Sequence, residues 1–179
     1  DNVTEKVANA IRQSPVPIVL AGSIIQDDSI PTVNIDYFQA AFDAIQLFIE
    51  KGHKKIAFVS GPLEYTINGE YKLAAYKKAL QQANIEVNEQ LIDATDGTYD
   101  EAVLSWETFT QKGNVPTAIF AGSDEIALGI IHAVQDSGKR VPEDVEVISF
   151  ENSKLARMVR PQLTSVALPL YDIGAVSMR

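Results

Sequence analysis

Ala118-Ile119-Phe120-Ala121-Gly122-Ser123-Asp124 decides the fold: an apolar run stops at a small polar corner, and the helical pattern Ile126, Ile130, Ala133, Val134 begins at once. Pro17–Ser23, Ile56–Gly61, Leu91–Asp96 and Val145–Glu151 end in the same way. Short continuous apolar runs separated by helix-period segments are the pattern of parallel strands buried on both faces. In such sheets the strand carboxyl ends share one edge, and ligands bind there. The corners Ser23, Ser60, Asp96, Ser123, Asp124 and Glu151 are therefore expected on one rim, around a cleft.

The 179 residues make one large domain or two small ones, and a hydrophobic share of 46% suffices for a core. No apolar run is long enough to span a membrane, and no secretory segment is visible. The sequence opens on Asp1-Asn2-Val3-Thr4 and ends within a helix-like stretch, Tyr171–Arg179, so it reads as part of a longer chain. Absence of cysteine excludes disulfides and thiolate sites and fits a cytoplasmic setting. A net charge of −9 does not favour nucleic acid, because phosphate contacts need clustered Lys and Arg. The basic run Lys51-Gly52-His53-Lys54-Lys55 reads as a solvated turn between helix and strand.

Val3, Val7, Ala10 and Ile11 repeat at helical spacing before a strand over 16–22. Asp36 stands where its carboxylate can cap a helix carrying Phe42, Ile45, Phe48 and Ile49, and Gly52 stops that helix. A strand over 56–60 follows, then helices over 70–82, 100–111 and 124–136, the last ending at Gly138. Trp106 shares a stripe with Val103 and Phe109 and reads as core. Pro161–Pro169 breaks the alternation and is expected as a strand that pairs with a different sheet.

Catalytic signatures are missing: there is no Gly-x-Ser-x-Gly, no phosphate-binding Gly-x-x-x-x-Gly-Lys and no Gly-x-Gly-x-x-Gly. Neither His53 nor His132 has a second ligand at metal spacing, so neither a metal nor a cofactor is expected. Asp124 is placed to cap its helix, and Glu151 follows a buried strand where it could be solvated or could hold a polyol or amine. Lys72 lies near the start of a helix, where lysine is ordinary.

Four segments carry a resemblance: Val33–Tyr37, Gly52–Pro62, Pro116–Gly129 and Arg160–Val166. Together they resemble the core of LacI/GalR-type transcriptional repressors, in the right order over almost the whole chain. The resemblance implies an α/β fold of two periplasmic-binding-protein-like (type I) subdomains, with parallel sheets flanked by helices and the N-terminal subdomain incomplete. Residues 1–55 would form part of that subdomain, 56–162 the C-terminal one, and 163–179 a return segment. Effector contacts would fall to Asp36, Lys72, Ser123, Asp124 and Glu151, with a sugar or sugar phosphate as guest. The family usually has Gly-Phe-Asp or Gly-Tyr-Asp where this chain has Ser149-Phe150-Glu151, so a longer carboxylate reshapes the pocket.

The tail Met158–Val166 followed by Tyr171–Val176 is similar to family members devoted to carbon catabolite control. That likeness implies a homodimer whose partner is the serine-phosphorylated phosphocarrier protein of the sugar phosphotransferase system. Tyr171, Asp172, Ala175, Val176 and Arg179 would receive it on one helix face, Arg179 holding the phosphoserine. Tyr71, Ala74, Ala75 and Leu128 are candidates for the dimer surface. Operator DNA would be touched only through a headpiece outside this chain. Two other readings stand beside this one, an extracellular sugar-binding protein of a transport system and a flavodoxin-like enzyme. The missing catalytic motifs weigh against the enzyme.

Overall fold

Short polar side chains start the helices. Thr4 caps α1 (Glu5–Arg12), and Asp36 Oδ1 accepts from Gln39 N at 2.8 Å to open α2 (Tyr37–Glu50), as expected. Thr98 caps α4 (Tyr99–Gln111), and Ser123 Oγ accepts from Ile126 N at 3.2 Å to cap α5 (Asp124–Asp136), which stops before Gly138. Between α2 and α4 lies α3 (Ala74–Gln82), entered through a wide π-helical segment, Ile67–Leu73, where an ordinary helix from residue 70 was expected. The computed structural model describes residues 3–25 and 27–179.

The apolar runs form a parallel sheet of β3 (Ile56–Ser60), β4 (Ile92–Ala94), β5 (Ala118–Ala121), β6 (Glu146–Glu151) and β7 (Thr164–Ala167), in the order β4-β3-β5-β6-β7. Strand side chains alternate between its faces. Ile56, Phe58, Phe120, Ile148 and Phe150 meet Ala44, Ile45 and Phe48 of α2 and Tyr76 and Leu80 of α3. On the other face Val59, Ile119 and Val147 meet Trp106 and Phe109 of α4 and Ile126, Ile130 and Val134 of α5. Both faces are thus covered, as the unbroken apolar strands require.

A smaller parallel pair, β1 (Leu20–Ala21) with β2 (Thr32–Val33), replaces the single strand expected over 16–22. Val16 and Val19 stand exposed before it, and Val7 of α1 is exposed where its spacing suggested a buried stripe; Ala8 is buried instead. Two expected boundaries move. Helix α2, placed by sequence within 1–55, buries its apolar face in the larger sheet. The return segment 163–179 splits: β7 pairs in parallel with β6 (Ile148 opposite Thr164) instead of joining another sheet. Only α7 (Leu170–Ser177) crosses to β1 and β2, anchored by buried Ile173. The short α6 (Lys154–Met158) links β6 to β7.

The tightest helix contact explains one glycine. A Cβ on Gly129 of α5 would stand 2.5 Å from the Tyr99 carbonyl oxygen and 3.0 Å from Ala102 Cβ of α4. Alanine there gains about 1 kcal/mol of helix propensity but forces α4 and α5 apart, an overpacking cost of about 1–3 kcal/mol. Gly129→Ala is therefore expected to lower the urea midpoint; an unchanged or raised midpoint would show that the pair can separate freely.

Candidate functional site

Strands β3, β5 and β6 end side by side at Ser60-Gly61, Gly122-Ser123 and Glu151. The segment leaving β3 must turn above this rim. Its π-helical turn is tight on one side: a Cβ on Gly69 would stand inside contact distance of the Leu63 carbonyl. π-helical turns of this kind shift the register of the side chains that follow and recur at functional positions. Here the turn carries Lys72 inward. Lys72 is 5% exposed, its Nζ donates to the Gly122 carbonyl oxygen at 2.8 Å, and the ammonium sits 4.5 Å from the centre of the Phe150 ring. Cation and ring face attract in this geometry.

Glu151 stands at the end of β6 with φ of +109°, followed by Asn152 at +52°, conformations that cost a non-glycine residue energy. Burial pushes its carboxyl above the usual range; Lys72 opposes this, and Asp124 and Glu125 reinforce it. Burial lowers the Lys72 ammonium to about 8, and Glu151 pulls it back upward. The two influence each other through space, yet Lys72 makes none of the ion pairs found among the described residues.

Asp124 differs from expectation. Ser123 caps α5, and the Asp124 carboxylate, 1% exposed, turns toward the sheet. Its Oδ1 accepts from Ser149 Oγ at 2.5 Å and Ser165 Oγ at 2.7 Å, and its Oδ2 accepts from Ser153 N at 2.5 Å. Ser149 and Ser165 are register partners on β6 and β7, so one carboxylate ties α5, both strands and the start of α6.

The structure thus brings Lys72 and Glu151 together, with Asp124 and Ser123 behind them on the same rim. Asp36 lies beyond, at a cavity of roughly 440 Å³ whose lining includes Ile24, Asn34, Tyr37 and Tyr71. Asn34 donates to the Ser23 carbonyl at 3.0 Å, while its Oδ1 is buried without a partner. Tyr37, in the lining of this cavity, packs with its ring centre 6.3 Å from that of Phe150, the ring over which Lys72 lies. Asp96 stays at the surface, accepting from Thr98.

Sequence reasoning missed Ser149, Ser165 and Phe150. A serine inside an apolar strand was the available signal for the first, because a buried hydroxyl needs a partner.

On α7, Tyr171 (86% exposed), Asp172 and Val176 face outward with Leu170 and Met178 (89% exposed), while Ala175 is half-buried. Arg179 is exposed just beyond the helix, its N–H bonded to the Val176 carbonyl. The described residues contain no cluster of metal-ligating side chains and no helix long and apolar enough to cross a membrane. His132 pairs with the Tyr99 hydroxyl at 2.8 Å and His53 with Thr117 Oγ1 at 2.9 Å.

The profile of the periplasmic binding protein-like domain matches residues 45–179. Catabolite control protein A of Priestia megaterium is 53% identical over 99% of this chain and 54% of its own length. The crystal structure of the transcription regulator CcpA of Lactococcus lactis superposes with a TM-score of 0.89 at 39% identity, over 99% of this chain and 65% of that one. A LacI-family sugar-binding transcriptional regulator from Escherichia coli, solved with phosphate, gives a TM-score of 0.84 at 30% identity over 94% of this chain and 60% of that one. The chain belongs to the periplasmic-binding-protein-like family. It spans about half the length of the curated relatives it matches. The likeness to the catabolite-control members, first read from the tail, holds along the whole chain. The two solved structures are named as transcription regulators, which does not favour the transport reading.

A buried, under-paired ammonium is a cost to the fold. The cost is fully present below pH about 8, where folded and unfolded chains are both protonated. Between about 8 and the ordinary 10.5 the unfolded chain holds a proton that the folded chain lacks, so stability rises with pH. Lys72→Met is expected to melt above the parent at neutral pH, with the gap closing as pH climbs through this window. A variant that melts below the parent at every pH would show that the bond to Gly122 outweighs the cost of burial.

Proposed function

We propose that this chain is the effector- and corepressor-binding core of a DNA-binding transcriptional regulator acting in carbon catabolite control, working in the cytoplasm and not as an enzyme. The observation that carries the reading is the outward face of α7. Leu170, Tyr171, Val176 and Met178 stay exposed while Ile173 fixes the helix to β1 and β2. Exposed apolar side chains concentrated on one docked helix mark a partner surface. Asp172 and Arg179 frame it with opposite charges. Similarity to catabolite control protein A across 99% of the chain supports the same assignment.

The partner in this reading is the serine-phosphorylated phosphocarrier protein of the sugar phosphotransferase system. Its apolar surface would rest on Tyr171, Ala175 and Val176, and Arg179 would hold the phosphoserine through charge-assisted hydrogen bonds. The rim supports a second input. Lys72 and Glu151 place an ammonium and a carboxylate where a sugar or sugar phosphate can be held, with Ser123, Asp124 and Asp36 at its margins. Two such cores would pair side by side, setting the spacing of two headpieces on a palindromic operator. Of the dimer candidates, Ala75 drops out because it is fully buried within the α2–α3 packing; Tyr71, Ala74 and Leu128 remain.

Operator binding by the full-length protein, followed by fluorescence anisotropy, tests the assignment. Phosphorylated phosphocarrier protein is expected to tighten binding, and the unphosphorylated form is not. Arg179→Ala should abolish that preference, removing about 1.5–3 kcal/mol, roughly ten- to a hundredfold in partner affinity. Retained selectivity for the phosphorylated form in the variant would defeat the role of Arg179. An operator response that ignores both forms would defeat the corepressor reading.

A further inference from the structure

We propose that Lys72 makes effector binding in this cleft proton-linked: the ligand is held by the protonated ammonium, and its arrival draws a proton onto Lys72. The inference rests on the effector-core reading and deepens it. An ammonium has three N–H donors. Lys72 uses one, on the Gly122 carbonyl, and rests against the face of Phe150. Among the described residues no carboxylate forms an ion pair with it, although the side chain is buried.

The surrounding charges explain why the ammonium stays under-paired. Among the described residues, Glu151 at the end of β6 is the carboxylate whose charge favours the protonated ammonium. Asp124 and Glu125 of α5 act on Glu151 instead, and both Asp124 oxygens are taken by Ser149, Ser165 and Ser153. Tyr37 of α2 packs on the Phe150 ring, β3 ends in uncharged Ser60 and Gly61, and Glu70 and Tyr71 are its neighbours on its own turn.

Among the described residues the ammonium has one hydrogen-bond acceptor, the Gly122 carbonyl, and burial brings the group's pKa down to about 8. A ligand oxygen placed on its other donors favours the charged form. Below the lowered pKa the proton is already present and binding takes none up. Above it, binding must recruit one, and affinity falls by about tenfold per pH unit.

Titration calorimetry of the full-length protein with glucose 6-phosphate, and separately with glucose, tests this between about pH 7.5 and about pH 9.5, a window bracketing the lowered pKa. Pairs of buffers with different ionisation enthalpies count the protons taken up without any variant. The expected result is at least a tenfold loss of affinity across the window, with proton uptake rising toward one per site. Lys72→Arg should flatten the profile, because a guanidinium keeps its charge throughout. Affinity independent of pH, with no proton uptake, would overturn the inference and leave the effector reading standing. Failure of both sugars to bind at any pH would overturn the effector reading itself, and this inference with it.

Discussion

Parallel pairing of β4-β3-β5-β6-β7 is the constraint on which the rest of the molecule depends. Each parallel connection must cross back over a sheet face, so both faces fill with helices and the central strands β3 and β5 are buried along their whole length. From the central strands, polar groups reach solvent at the strand ends. Ser60-Gly61, Gly122-Ser123 and Glu151, which are distant in sequence, become neighbours because their strands run the same way. A Cβ on Gly122 would stand 2.5 Å from Ser60 Oγ, so the rim is closed tightly between β3 and β5. The cation enters from above this closed rim, on the π-helical turn after β3.

Two buried charges on this rim are treated in opposite ways. Asp124 has a donor for each oxygen and knits α5 to β6, β7 and α6. A carboxylate satisfied so fully is an internal clamp, and truncating it would leave three donors unpaired. Lys72 keeps donors in reserve beside a backbone-strained glutamate. Folding alone does not call for that arrangement, since an apolar side chain of similar size would fill the space at less cost. Under-paired charge and backbone strain gathered at strand ends are the marks of a binding site.

Much of the fold was legible in the sequence because unbroken apolar strands and capped helices are local patterns. Ile56–Ser60, Ala118–Ala121, Glu146–Glu151, the Asp36 cap and the helix start at Asp124 lie where their residues predict. Two differences share one cause: membership of a sheet is a tertiary choice. Helix α2 was assigned with its preceding residues, yet its alanine-rich face fits the larger sheet. Strand β7 was expected to change sheets after Pro161, and the chain crosses only after Ala167. The pair β1–β2 is too short to leave a period-2 signature. At the site, Glu151 is legible from its place at the end of a buried strand, whereas Lys72 rests on the resemblance. Residue type alone offered nothing for Lys72, because its burial depends on a π-helical turn that sequence periodicity does not announce.

We propose the Lys72 ammonium as a contact for the effector. Side-chain nitrogen NMR of the full-length protein, labelled at lysine, reads that group directly. On addition of glucose 6-phosphate the account predicts that the Lys72 Nζ resonance shifts and its N–H protons become slower to exchange, as the spare donors find acceptors. A saturable ligand that leaves the Lys72 signal where it was, while resonances elsewhere move, would contradict the account.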